Sequence, residues 1–106
     1  MLQKLIPTEI VQSDCSYDDE RIFEQVWLPK AYDWIAAEID RYRGLTLIYV
    51  ESGHAHGVHF PRSLCGYYGS GTMATAKILS QAGFGDEKLL LSMVSDPARE
   101  FIVLSK

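Results

Sequence analysis

The chain has 106 residues, of which 47% are hydrophobic and 23% are charged, and its formal net charge is −4 at pH 7. This size and apolar content predict one folded domain over residues 1–106, with a core of its own. The Lys and Arg side chains form no cluster of the kind that follows a phosphate backbone, so we expect no nucleic-acid binding. An acidic surface can approach a basic protein face, but the alternative is that −4 is simply the charge of an ordinary soluble protein.

The same composition argues against a membrane protein. No stretch approaches the roughly 20 apolar residues of a membrane span, and residues 1–12 lack the apolar run of a signal peptide. We therefore expect a cytoplasmic protein that does not associate with membranes. Its cysteines, Cys15 and Cys65, match no redox or zinc spacing, which predicts free thiols, with Cys65 as a small buried hydrophobe.

The first predicted element is a strand. Residues 4–12 alternate in character, and Pro7 places this strand at the edge of a sheet because proline cannot donate to a ladder. A polar loop follows, in which Ser16 and Asp19 stand at the spacing of a helix capping box.

From Asp18 the pattern predicts helix. Apolar residues recur at helical intervals as far as Tyr42. Pro29 crowds the turn before it, so we expect either two helices, with Pro29 in the first turn of the second, or one helix kinked there. Gly44 is placed to end the helical region as its C-cap.

The second half of the chain predicts shorter elements. Residues 45–51 indicate a central strand, and residues 58–61 a shorter strand that pairs back onto it. A helix is expected over residues 72–82 and a strand over residues 99–105, whereas residues 86–94 suit a helix capped by Asp86 or a strand equally. This order predicts an α+β fold: a small antiparallel or mixed sheet with two or three helices packed on one face.

The segment SLCGYYGSGTMATAKILSQAGF (residues 63–84) places three glycines directly before the predicted helix. The first N–H groups of a helix have no intrahelical partner, and glycines let an anion approach them. A nearby arginine, two tyrosines and two hydroxyls supply further contacts. The predicted ligand-binding residues are Arg62, Gly66, Tyr67, Tyr68, Gly69, Ser70, Gly71 and Thr72. The alternative is that the glycines permit a tight turn and the tyrosines complete the core.

The glycine spacing excludes two common nucleotide loops. No Lys-Ser/Thr pair follows the last glycine, as a Walker A loop requires, and the glycine order reverses that of the dinucleotide fingerprint. We therefore expect no cofactor, and the predicted ligand is an anionic small molecule of nucleotide-like chemistry.

The residues GYYGSGTMATAKIL resemble the Gly-Tyr-Gly-Gly-Ser/Thr-Gly-Pro segment that precedes a helix in several small bacterial, plasmid and phage families without a settled activity. The resemblance spans about residues 60–83 and departs at Tyr68, where glycine is usual, and at Thr72, where proline is usual. The residues that carry it are Gly66, Tyr67, Gly69, Ser70 and Gly71. It implies a domain borne on mobile elements, for which sequestering a host signalling nucleotide would be a fitting role.

All three histidines lie within six residues, at His54, His56 and His59. Two histidines at i and i+2 of a strand share a face and can begin a metal site, with His59 or Cys65 as a third ligand and Glu51 as an oxygen donor. The alternative is an exposed turn in which the histidines are polar surface residues.

These patterns lead to three functional hypotheses. The first is a non-catalytic domain that binds an anionic small molecule in the glycine loop; we expect no enzyme, because Ser63 and Cys65 sit in no nucleophile motif. The second is an acidic protein-interaction module of the inhibitor or immunity type acting on a host protein. The third is a metal-binding protein. Self-association is compatible with all three, since small cores gain stability by forming oligomers.

Overall fold

The computed structural model describes residues 5–106. The elements in chain order are β1 (Leu5–Ile10), α1 (Ser16–Ile22), β2 (Trp34–Asp40), β3 (Gly44–Glu51), β4 (His54–Phe60), α2 (Ser70–Gln81), α3 (Glu87–Val94) and β5 (Phe101–Ser105). A π-helical segment (Phe23–Trp27) and a 3₁₀ turn (Leu28–Lys30) connect α1 to β2. None of the helices within residues 5–106 has the length and apolar character needed to cross a membrane.

The five strands form one mixed sheet in the order β1-β4-β3-β2-β5. β1 runs parallel to β4, and every other neighbouring pair is antiparallel. The predicted α+β fold is therefore confirmed, as are the central position of β3 and the edge position of the strand that contains Pro7. Lys4, with which that strand was predicted to begin, lies outside the described residues.

One face of the sheet is covered by the helices. In β3, Leu45, Leu47 and Tyr49 are buried, while the residues between them are half-buried. Successive side chains of a strand point to opposite faces, so the buried set lies on one face. It shares a hydrophobic core with Phe23, which follows α1, and with Ile78 of α2. Burying side chains of this size contributes about 1.5–3 kcal/mol each.

The predicted helix as far as Tyr42 is wrong beyond Lys30. Residues Trp34–Asp40 form β2, which pairs with β3 on one side and with β5 on the other. Pro29 lies in the short 3₁₀ turn, and that turn ends at Ala31, which has a left-handed φ of 55°. The apolar residues of β2 fit a helical repeat, but pairing on both sides satisfies the backbone groups of this strand in the sheet. Tertiary pairing therefore overrides the local periodicity.

Two predicted caps are also wrong. Ser16 lies inside α1, whose N-cap residue is Cys15 and lacks a side-chain cap, and Asp19 turns into the interior. Gly44 opens β3 rather than ending a helix. Its φ is +113°, and a Cβ there would meet the Phe60 carbonyl oxygen and lie 2.9 Å from Pro61 Cα. Gly44 is needed where the β2–β3 turn crosses the end of β4.

The helices of the second half agree with the sequence. α2 begins two residues before the prediction and buries Ala74, Ile78 and Leu79. The ambiguous stretch after it is helix α3, because the Asp86 carboxylate accepts hydrogen bonds from the N–H groups of Lys88 and Leu89 at 3.1 and 3.2 Å. A side chain that satisfies the first amides in this way favours helix over strand.

Candidate functional site

The Tyr67 ring fills the space above the glycines at the start of α2. A Cβ on Gly69 would lie 2.8 Å from Tyr67 Cε2, and a Cβ on Gly71 would collide with the Tyr67 hydroxyl. The ring therefore lies against both glycines, and these two positions need glycine because a side chain of the same loop packs on them. Tyr67 is half-buried in this position.

Local hydrogen bonds close one end of this loop and leave the next amides free. The Gly69 N–H donates to Thr72 Oγ1 at 3.1 Å, and the Thr72 hydroxyl donates to the Gly69 carbonyl at 3.0 Å. The first helical backbone bond runs from the Met73 N–H to that same carbonyl. The N–H groups of Ser70, Gly71 and Thr72 thus stand in the first turn, where a helix offers no acceptor of its own.

Gly66 lies apart from this group. Its φ is +87°, and its N–H donates to the Val94 carbonyl at the end of α3 at 2.7 Å. A Cβ on Gly66 would lie 2.6 Å from the Arg99 carbonyl oxygen. Gly66 therefore joins the loop to the C-terminal end of α3, and its amide is already engaged within the protein.

Arg62 lies next to the start of α2 through its main chain. Its carbonyl oxygen would be 3.2 Å from a Cβ on Gly71, and its side chain is exposed. Tyr68 and Ser70 are exposed as well, Tyr68 to 72%. The structure thus brings Arg62, Tyr67 and residues 69–72 together, with Tyr68 and Ser70 on the solvent side.

The buried carboxylate of Asp19 fixes this arrangement, and the sequence analysis missed it. Asp19 is 0% exposed and accepts hydrogen bonds from the Ser13 hydroxyl at 2.5 Å, the Arg62 N–H at 2.8 Å and the Ser63 hydroxyl at 2.8 Å. The two carboxyl oxygens of Asp19 act as the acceptors in all three hydrogen bonds. The signal was its spacing: Asp19 precedes Ile22 by three residues, on the apolar face of α1.

The histidines do not converge. All three lie in β4, where His54 and His56 share a face and His59 lies on the opposite one. His59 Nδ1 lies 2.8 Å from Thr46 Oγ1, and His59 Nε2 lies 2.8 Å from the Arg43 carbonyl oxygen. Within residues 5–106 no group of three His, Cys, Asp or Glu side chains is placed to hold a metal ion. The turn before this strand is also shorter than the sequence predicts, because β4 begins at His54 rather than at Val58.

His56 instead ends a stack of rings. The Tyr32 and Tyr49 rings are stacked with centroids 3.9 Å apart, and His56 stacks on Tyr49 at 4.9 Å. Burial, assisted by the hydrogen bond and charge of Tyr32, raises the pKa of Tyr49 to about 12. The stack belongs to the aromatic part of the core, since Trp34 meets both tyrosines edge-on.

The cysteines are free thiols in different surroundings. Both are free and Cys65 is buried, as the sequence predicts, whereas Cys15 is exposed. Burial raises the pKa of the Cys65 thiol, the nearby Asp40 carboxylate raises it further, and Arg41 opposes both. The Cys65 Sγ faces the carbonyl oxygens of Ile39 and Arg99 at 3.8 and 3.7 Å. A protonated buried thiol is a poor nucleophile.

Two surface clefts lie away from the glycine loop. One, of about 200 Å³, separates α1 from α2 and is lined by Tyr17, Glu20 and Lys77 among others. The other, of about 230 Å³, lies on the helix-free face of the sheet and includes Glu38 and His59. The Lys77 ammonium lies 3.5 Å from Glu20 Oε1, so part of the acidic surface is neutralised within the protein.

Comparisons with protein-family models, with curated proteins and with solved structures find no match for this chain.

Proposed function

We propose that the chain is a non-catalytic domain that binds a small anion, with a phosphate group as the recognised chemistry, at the start of α2. The observation that carries this proposal is the run of three first-turn N–H groups, at Ser70, Gly71 and Thr72, without intrahelical acceptors. Such groups, together with the helix macrodipole, favour a negative charge.

The exposed groups around this turn suit a phosphate ester. Ser70 is itself the first residue of the turn, and the main chain of Arg62 lies next to Gly71. The side chains of both residues are exposed. An arginine can hold a phosphate through two parallel hydrogen bonds. Tyr68, exposed to 72%, offers a ring on which a base can stack. A nucleotide therefore fits the whole set better than an inorganic ion. The resemblance to mobile-element families supports a role in sequestering a host signal, and that role stays a prediction.

Tyr67 restricts the direction from which the anion arrives. Its ring covers Gly69 and Gly71, so the accessible side of the turn is the one that carries Ser70. The amide of Gly66 is used by Val94, and that of Gly69 by Thr72. The proposed site accordingly consists of Arg62, Tyr68 and residues 70–72, with Tyr67 as its wall.

Titration calorimetry with pyrophosphate and with mono-, di- and cyclic nucleotides tests the proposal. Ser70→Asp places a negative charge at the helix N-terminus, so it should raise the melting temperature while it repels the ligand. Arg62→Gln should weaken binding by about tenfold or more. Lys88→Gln, which removes the same charge from an exposed side chain in the first turn of α3, is the control and should leave the affinity unchanged.

Two outcomes would overturn the anion proposal. One is the absence of any heat or melting shift with every phosphate compound at millimolar concentration. The other is binding that both Ser70→Asp and Arg62→Gln leave intact, because the ligand would then occupy a different surface.

A second candidate is a protein-interaction module, and the cleft between α1 and α2 favours it. Tyr17 is exposed to 67% beside Glu20 and Glu24, and Val26 is exposed to 46% on the segment that follows α1. An exposed aromatic residue among carboxylates suits a basic protein face. A complex isolated from a host lysate that Ser70→Asp preserves and Glu24→Lys abolishes would favour this candidate over anion binding.

A further inference from the structure

The outer edge of β5 is an unpaired sheet edge. β5 pairs with β2 on one side, and no strand within residues 5–106 pairs with its other side. The five residues, Phe101–Ser105, contain no charge and no proline, and their register with β2 is regular. Charges, prolines and bulges are the devices that keep an edge strand from adding another strand. β5 has none of the three.

The hydrogen bonds to β2 identify which backbone groups are free. The Arg41 N–H donates to the Glu100 carbonyl, and the Lys106 N–H donates to the Ile35 carbonyl. Facing pairs of an antiparallel ladder are hydrogen-bonded at every second position. The even-numbered residues of β5 therefore direct their N–H and C=O groups to β2. Phe101, Val103 and Ser105 direct theirs to the open edge.

This edge is complementary to itself in one register. Around a twofold axis perpendicular to the sheet at Val103, Phe101 faces Ser105 of a second copy and Val103 faces its own equivalent. Every facing odd-numbered pair then exchanges two hydrogen bonds. A shift by two residues would leave one end of the strand unpaired, and a shift by one would oppose side chains of different faces.

The side chains match in the same register. Val103, exposed to 61%, meets its equivalent on the helix-free face. On the helix-covered face Ile102 faces Leu104 of the second copy; Ile102 is already buried in its own core, so the apolar surface available there is that of the half-buried Leu104. At each end, Glu100 faces Lys106 of the second copy. The Lys106 ammonium donates to the Ala82 carbonyl at 2.6 Å and keeps two further N–H groups for a carboxylate.

We infer that a second copy of this chain is the partner of this edge: two β5 strands pair antiparallel and join the two sheets into one of ten strands. The interface is isologous, as twofold dimers require. It lies apart from the proposed anion site on α2, so the failure of either proposal leaves the other standing.

Sedimentation equilibrium of the full chain tests the inference, and the expected mass is twice 12.0 kDa. Val103→Lys should weaken association by about tenfold or more, because two like charges would then face each other at the axis. Val103→Pro removes an outward N–H without removing a bond to β2, and should give the monomer. Leu89→Lys, which introduces the same charge at a side chain exposed to 73% on α3, should leave the dimer intact.

Hydrogen exchange of the unmodified protein gives a test that needs no variant. In the dimer the amides of Phe101, Val103 and Ser105 should be protected, and dilution should expose these three while those of Ile102 and Leu104 stay protected. Weak association is detected at concentrations up to about 1 mM. A protein that stays monomeric over this whole range would overturn the inference, and it would do so even if the edge of β5 bound an extended peptide. A dimer that survives both Val103 substitutions would overturn it as well.

Discussion

The segment that leads into α2 has two halves that differ in how their polar groups are used. In residues 61–66, the Arg62 N–H and the Ser63 hydroxyl bind Asp19, and the Gly66 N–H binds the Val94 carbonyl. Ser63, Cys65 and Gly66 are all buried. In residues 67–72, by contrast, Tyr68 and Ser70 are exposed, and the amides of the first helical turn have no acceptor in their helix.

This difference separates a supporting half from the half that carries most of the proposed binding site, over twelve residues of chain. The first half has its donors satisfied by groups from α1 and α3, which fix its path. The second half receives its position from the first and directs Tyr68 and Ser70 at solvent, whereas Gly71 and Thr72 are buried. A binding loop held by a rigid neighbour is a common arrangement, since pre-organised groups lose less entropy when a ligand binds. Substitutions that remove the support of the first half should therefore cost the most stability, whereas those of the exposed Tyr68 and Ser70 in the second half should change binding more than stability.

The largest loss of stability is expected when Asp19, which holds residues 61–66, is replaced. Asp19→Ala leaves the Ser13 and Ser63 hydroxyls and the Arg62 N–H without their buried acceptor, so we expect the free energy of unfolding to fall by about 3 kcal/mol or more. Urea denaturation measures this loss. Asp18→Ala, at the neighbouring position with an ion pair to Arg21 at 3.7 Å, should cost no more than about 1 kcal/mol. Equal losses for the two variants would mean that Asp19 does not hold the segment.

The next-largest loss of stability is expected at Gly71, and it tests whether the packing of Tyr67 is what requires glycine at this position. Gly71→Ala introduces a Cβ into the space of the Tyr67 hydroxyl, so we expect a loss of about 1–3 kcal/mol. The backbone of Gly71 has no left-handed φ, so alanine itself is otherwise tolerated there. In a Tyr67→Phe background the same substitution should cost clearly less. A double-mutant cycle measures this coupling, and a coupling near zero would contradict the packing of Tyr67 on Gly71.

The sequence predicted the elements whose local signals agree with their tertiary surroundings. Asp86 satisfies the first amides of α3, Pro7 lies in an edge strand, and residues 45–51 have the branched side chains of a central strand. β2 was missed because its apolar residues fit a helical repeat, and its pairing with β5, which begins at Phe101, involves residues distant in the sequence. Local periodicity carries no information on such pairing.

The candidate site was predictable only in part, because some of its contacts are local in the sequence and others are not. Gly69, Gly71 and Thr72 stand close together in the chain, so their meeting at the start of α2 follows from local pattern. Asp19 reaches Ser63 across 44 residues, and no short motif records that contact. Tyr67 packs on Gly69 and Gly71 because of where its side chain lies. The glycine spacing alone does not give that position.

The smallest effect is expected at the cap that closes the second half. Thr72→Val keeps the buried volume but removes the oxygen that accepts from the Gly69 N–H, so we expect a loss of about 1 kcal/mol. Ser70→Ala, at an exposed hydroxyl, should stay within about 0.5 kcal/mol. Because residues 61–66 are held by Asp19 and Val94, the loss should be local. Hydrogen exchange of the Gly69 amide should then accelerate while that of the Gly66 amide stays slow; equal acceleration of both would show that the two halves of the segment open as one unit.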